Sequence, residues 1–140
     1  MTSRRAVAVL ATDDEILVIR RRRDGEQYAV LPGGGIEQGE TPEEAAVREL
    51  SEETGLLGTV VATLGKRSAL AAGREEFYFL VSAPQCSLAL GGPEAERQTA
   101  DNQYKPAWVD HDALDAEGLQ PAELRELLPR WCGWSTVESV

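Results

Sequence analysis

Apolar residues come in short blocks separated by polar, turn-forming clusters. Arg5 to Thr12 and Glu15 to Arg21 read as two strands joined through a hairpin turn at Asp13-Asp14. Tyr28 to Leu31 is a short apolar strand ended by Pro32 and three glycines. Leu57 to Gly65, Glu75 to Ser82 (around Phe77-Tyr78-Phe79-Leu80-Val81) and Tyr104 to Val109 read as further strands. The stretch from Gln85 to Gln103, centred on Gly91-Gly92-Pro93, is polar and long enough for a functional loop. Two segments carry helical spacing. Pro121 to Leu128, with Ala122, Leu124, Leu127 and Leu128, is expected to stop at Pro129. Pro42 to Thr54 has a full set of helix signals. Thr41 is its N-cap, Pro42 its first position, Glu44 completes a capping box, and Gly55 closes the far end.

At 140 residues the chain fits one domain, 1–140, and its 42% apolar and 27% charged content is that of a soluble globular protein. A net charge of −10 argues against a nucleic-acid groove or an anionic membrane surface as the main partner. No run reaches the ~18 apolar residues of a membrane span. The apolar block Ala6-Val7-Ala8-Val9-Leu10 is broken at Thr12-Asp13-Asp14-Glu15, as expected for a buried strand rather than a signal core. Cys86 and Cys132 fit neither a disulfide framework nor a zinc spacing, so a reduced, cytoplasmic protein is expected.

Charge changes the picture most in the first helix. At ~100° per residue, Ala46, Val47, Leu50 and Thr54 form one face, suited to packing on a sheet. Glu49, Glu52 and Glu53 share a sector away from that face, beside Ala45. Like charges at such spacing repel by ~0.2–0.5 kcal/mol per exposed pair. Arg48, four residues from both Glu44 and Glu52, relieves part of this, and a divalent cation would relieve the rest. Hard cations such as Mg²⁺ take oxygen ligands and bind through a few carboxylates together with substrate phosphates. Just upstream, Gly33-Gly34-Gly35 offers backbone that a ligand can approach closely. Glu43 and Glu44 read instead as helix-end electrostatics.

Gly34, Glu40, then Arg48-Glu49-Leu50-Ser51-Glu52-Glu53-Thr54-Gly55-Leu56 matches every fixed position of the box G-x5-E-x7-R-E-U-x-E-E-x-G-U, in which U is a bulky apolar residue. The chain therefore resembles the Nudix hydrolases of MutT type. The resemblance implies an α/β (α+β) fold, an α/β/α sandwich around a mixed sheet. It also implies hydrolysis of a pyrophosphate bond in a nucleoside diphosphate linked to another moiety, with Mg²⁺ or Mn²⁺. Carried over, Glu49, Glu52 and Glu53 are the metal carboxylates, with the Gly33 carbonyl as a further ligand. Arg48 orients the glutamates, Glu40 supports them, and Gly34 and Gly55 are structural positions of the box.

The general base stays open between the box glutamates and later loop acids, Glu94 and Glu96 with Asp101 behind them. Arg20-Arg21-Arg22-Arg23 is the source of bases for the outer phosphates. Strand alternation turns no more than two of the four towards one ligand, and Arg21 and Arg23 are the substrate-binding candidates beside Glu94 and Glu96. Tyr28, Tyr78, Tyr104 and Trp108 are expected in the core. Trp131 and Trp134 are expected at a core edge or a partner surface, and His111 exposed at a turn. A homodimer would be in keeping with the family. The competing readings are a nucleotide-sensing module on the same fold, or an isomerase. The intact box favours hydrolysis of a small nucleotide-type substrate.

Overall fold

The structure is a computed structural model that describes residues 3–69, 73–83 and 102–134. The polar loop of 84–101, and with it Cys86, Glu94, Glu96 and Asp101, lies outside the described residues. Strands β1 (Ser3–Val9), β2 (Glu15–Arg23), β3 (Glu26–Val30) and β4 (Gly33–Gly35) precede helix α1 (Pro42–Thr54). Strands β5 (Thr59–Ala69), β6 (Arg74–Ser82) and β7 (Asn102–Asp110) follow, then α2 (Leu114–Glu117) and α3 (Leu124–Cys132). One sheet is mixed, in the order β4-β1-β6-β5, with β1 and β6 parallel; the other is antiparallel, in the order β3-β2-β7. No helix among the described residues is long and apolar enough to cross a membrane.

β1 organises the layers because both of its faces are apolar. Ala6, Ala8 and Leu10 pack with Ala45, Ala46 and Leu50 of α1, together with Leu17, Phe79 and Val81. Val7 and Val9 turn the other way, to Ile16 and Val18 of β2, Tyr78 of β6, and Leu124 and Leu128 of α3. The mixed sheet is thus covered by α1 on one side and by the second sheet and α3 on the other, the expected sandwich.

The expected hairpin between β1 and β2 forms only at its mouth. Thr12 N–H donates to Glu15 O at 2.8 Å, Leu17 N–H donates to Leu10 O at 2.9 Å, and the strands then part into different sheets. A strand has two edges, and those of β1 are taken by β4 and β6. The glycine run, read as the end of the Tyr28 to Leu31 strand, is a strand of its own, β4. β5 begins and ends later than its apolar pattern, since Lys66–Glu75 (2.8 Å) and Arg67–Glu76 (2.9 Å) pairs extend the ladder past Gly65.

The last helix also differs from expectation. It runs through Pro129 to Cys132 and closes on Gly133, whose N–H donates to Pro129 O. The proline removes one helical donor, but burial of Leu128 and packing of Trp131 on Tyr78, ring centroids 5.0 Å apart, outweigh that loss. α2 and the short 3₁₀ turn His111–Ala113 before it carried no strong pattern. His111 is half-buried rather than exposed. It stacks on Trp134 at 3.7 Å, and its Nε2 lies 3.1 Å from Glu15 O.

Candidate active site

Helix α1 is set by its ends. Thr41 Oγ1 accepts from Glu44 N–H (3.1 Å), the Glu44 carboxylate accepts from Thr41 N–H (2.8 Å), and Gly55 caps the helix at φ 79°. Thr54 Oγ1 donates back to Leu50 O at 2.7 Å and accepts from Leu56 N–H, which turns the chain out of the helix. So fixed, α1 lays its acidic sector against β4. Glu53 is buried, and its Oε1 accepts from Gly33 N–H at 2.8 Å. The Glu49 carboxylate occupies the space a side chain at Gly34 would need, its oxygens 2.5 and 2.6 Å from where that Cβ would stand. The helical wheel put both glutamates off the packing face. In the fold they pack too, with glycine backbone as their neighbour.

Arg48 ties the acids together. Its guanidinium donates to both Glu40 oxygens (2.7 and 3.0 Å), to Glu49 Oε1 (2.9 Å), to Glu52 (3.3 Å) and to Gly35 O (2.9 Å). Glu44, the other expected partner of Arg48, is engaged in the capping box instead. Hydrogen bonding from Arg48, helped by Glu37 N–H, holds the Glu40 carboxyl below the usual carboxylate range. The same bonds, Glu40 first and then Glu49, raise Arg48 further above neutrality, so it stays charged.

Glu49, Glu53 and Gly33–Gly35 line one cavity of about 740 Å³. Its other lining residues include Arg5, Arg21, Arg67, Arg74, Glu76, Tyr78 and Tyr104. Of the arginine run, Arg21 enters this cavity, held by Tyr104 Oη at 2.8 Å and lying over the Tyr104 ring at 4.3 Å. Arg23 is exposed at the end of β2 and is not among the lining residues. Arg20 is paired instead with Glu117 by two bonds of 2.8 and 2.9 Å. Glu52 lies on the Arg48 side of the acids, outside the lining residues. Tyr78 is in the core as expected, its hydroxyl donating to Glu76 at 2.9 Å.

Sequence reasoning missed Arg5, Arg67, Arg74 and Glu76. Their signal was parity: Arg74, Glu76 and Tyr78 alternate along β6 and so share one face, which places two charged residues in line with a core tyrosine.

The comparisons with known proteins agree with this architecture. The NUDIX domain model matches residues 2–131, and the chain belongs to the Nudix family. An RNA pyrophosphohydrolase of Stenotrophomonas maltophilia is 34% identical over 145 aligned residues, covering 88% of this chain and 68% of that protein. An ADP-ribose pyrophosphatase of Methanocaldococcus jannaschii is 47% identical over 58 residues, 41% of this chain and 34% of that protein. The match thus spans about two thirds of the bacterial relative and one third of the archaeal one. In fold, the chain is similar to the E. coli ORF135 protein, with a TM-score of 0.65 at 24% identity, over 94% of this chain and 89% of that one.

Proposed function

We propose that the chain, acting as a single domain, is a divalent-cation-dependent pyrophosphohydrolase that cuts the acid anhydride of a nucleoside diphosphate linked to another moiety. One observation carries the reading. Glu49 and Glu53 are pressed onto side-chain-free backbone in a cavity that Arg5, Arg21, Arg67 and Arg74 also line. The family and the activities named for the two relatives support it.

The donor set suits Mg²⁺ or Mn²⁺. Glu49, Glu52 and Glu53 offer hard carboxylate oxygens within two turns of one helix, and the Gly33 carbonyl is the further ligand of this reading. Among the described residues no three acids already converge on one point. Arg48 lies between Glu49 and Glu52, so those two carboxylates must turn from it to share an ion. When bound, the cation neutralises the diphosphate and lowers the pKa of a coordinated water.

The chain's own residues supply the rest. A carboxylate, from the box helix or from the later loop that carries Glu94 and Glu96, takes the proton of the attacking water. Arg48, anchored on Glu40 and Gly35 O, limits how far Glu49 and Glu52 can swing. Arg21 meets a phosphate, or stacks with Tyr104 against a base. The substrate is small, of nucleotide or nucleotide-sugar type, and the setting reduced and cytoplasmic.

The test is a panel of triphosphates, nucleotide sugars, dinucleoside polyphosphates and dinucleotide coenzymes with Mg²⁺ and Mn²⁺, run with the wild type and Glu53→Gln. Cleavage that needs the cation and is lost in the variant upholds the reading. Nucleotide binding with no cleavage of any class would replace it with a sensing role.

A further inference from the structure

Resting on the hydrolytic reading above, the arginine wall of the cavity points to a narrower substrate class. The strand registers place Gly35, Arg5, Glu76 and Arg67 in one row across β4, β1, β6 and β5. Strands lie ~4.8 Å apart, so Arg5 and Arg67 stand roughly 10 Å apart with Glu76 between them. Arg74, two residues before Glu76, adds a third guanidinium on the same face.

The row is unbalanced. Glu76 is buried, and its carboxylate accepts from Arg67 (2.9 Å) and Tyr78 Oη (2.9 Å). Arg5 and Arg74 stand at 3.8 and 4.0 Å from it, beyond hydrogen-bond reach. The Arg5 Nε is buried and has no hydrogen-bond partner among the described residues. Arg67 is also bonded to Glu123, at 2.9 and 3.1 Å, so it is Arg5 and Arg74 that stand without a hydrogen-bonded carboxylate, in a chain of net charge −10. A buried donor without a partner destabilises the empty site, and an arriving anion would relieve it. Guanidinium forks match phosphate oxygens, and a neutral sugar offers nothing comparable. The row also starts at the glycine strand that holds Glu49 and Glu53, so its anion is continuous with the group cleaved there.

We propose that Arg5, Arg67 and Arg74, spaced by Glu76, form a subsite for the outer phosphates of a polyphosphate. The favoured substrates then carry three or more consecutive phosphates, as a nucleoside 5′-triphosphate does, rather than the two of a nucleotide sugar.

Calorimetry with inorganic tripolyphosphate and pyrophosphate, on the full chain and on Arg5→Gln and Arg74→Gln, reads the subsite without any turnover. Wild type should bind tripolyphosphate at least tenfold more tightly than pyrophosphate, and each variant should narrow that gap. In kinetics with Mg²⁺, Arg74→Gln should lower kcat/KM for a nucleoside triphosphate by at least ten times more than for a nucleotide sugar. Arg5→Lys keeps the charge at the sheet centre and guards against a folding defect in Arg5→Gln, with melting curves for each variant. Equal binding of the two anions by wild type, or equal losses for both substrates in Arg74→Gln, overturns the subsite. Cation-dependent cleavage of nucleotide sugars with either of those results would leave the hydrolytic reading standing alone. An arginine-dependent preference for tripolyphosphate with no cleavage of any substrate would do the opposite. A short RNA bearing a 5′-triphosphate, run beside the free nucleotide, separates the two sources of that chemistry, and arginine-dependent cleavage of either one upholds the subsite.

Discussion

The three glycines of β4 are adjacent, yet alanine should act differently at each. None has a positive φ, so the backbone accepts alanine at all three positions. A Cβ at Gly35 meets nothing within 4 Å. Gly35→Ala should be neutral or stabilising by ~0.4–1 kcal/mol through the unfolded chain. A Cβ at Gly33 lies 2.6 Å from Ala6 O, a backbone atom of the central strand. Something must shift there, and overpacking of that kind costs ~1–3 kcal/mol. For a domain of this size that lowers Tm by roughly 3–12 °C.

At Gly34 the conflict is with the Glu49 carboxylate, at 2.5 and 2.6 Å, which is the far end of a flexible side chain. Contact at ~3.5–4.0 Å is comfortable, so the carboxylate must withdraw by about 1 Å. Misplacement on that scale costs ~10²-fold in rate, while the fold yields little. Gly34→Ala should thus lose ~100-fold in kcat with Tm changed by less than in Gly33→Ala. Steady-state kinetics and melting curves on the three variants decide it. A Gly34→Ala enzyme within threefold of wild type, or one destabilised as much as Gly33→Ala, would refute the placement of Glu49 against the glycine backbone.

Glu53→Gln keeps an oxygen for Gly33 N–H and should melt near wild type while losing turnover; Glu53→Ala strands that donor and should cost a further ~1–3 kcal/mol, read by urea titration. Arg48→Lys cannot span Glu40, Glu49, Glu52 and Gly35 O at once, and activity should fall ~10–100-fold with the protein still folded, as measured by kcat against Tm. Glu40 is held below its unfolded pKa of ~4.3 by Arg48, so its contribution to stability is complete above that value and is lost as pH falls through the folded pKa. Tm should therefore drop on the acid side of about pH 4.5, and the drop should be smaller in Glu40→Gln, which has no charge to lose. Burial pushes the Cys132 thiol up to about 11, so its alkylation at pH 8, followed by peptide mass spectrometry, should be slow until the chain is unfolded.

Legibility in the sequence followed the range of the forces involved. Helix α1 could be read to the residue because Thr41, Pro42, Glu44 and Gly55 act within one turn of themselves. The box glutamates were legible by spacing, and β1 by its unbroken apolar run. What escaped depends on partners far along the chain. The β1–β2 hairpin failed because β4 and β6 compete for the same edges, and no local signal near Asp13 reports that. The last helix passes Pro129 because Tyr78, about fifty residues upstream, gives Trp131 a surface. Arg5, Arg67 and Arg74 look like ordinary solvated strand-end charges until the registers align them on one carboxylate.

That alignment bears on how an acidic chain can handle an acidic substrate. Net charge sets the distant field, and here it repels anions. Within a Debye length of ~8 Å, however, only the lining groups count. There Glu49, Glu53 and Glu76 share the lining with four arginines, Arg5, Arg21, Arg67 and Arg74. β4 lets these two kinds of group share one cavity. With no side chains on Gly33, Gly34 and Gly35, the carboxylates rest on the sheet's edge one strand away from Arg5. On the proposed reading, a polyphosphate laid across that boundary would meet carboxylates able to hold a cation at the bond to be cut and guanidiniums beyond it. On the same reading, the excess negative charge of the chain would oppose anions that cannot make both contacts.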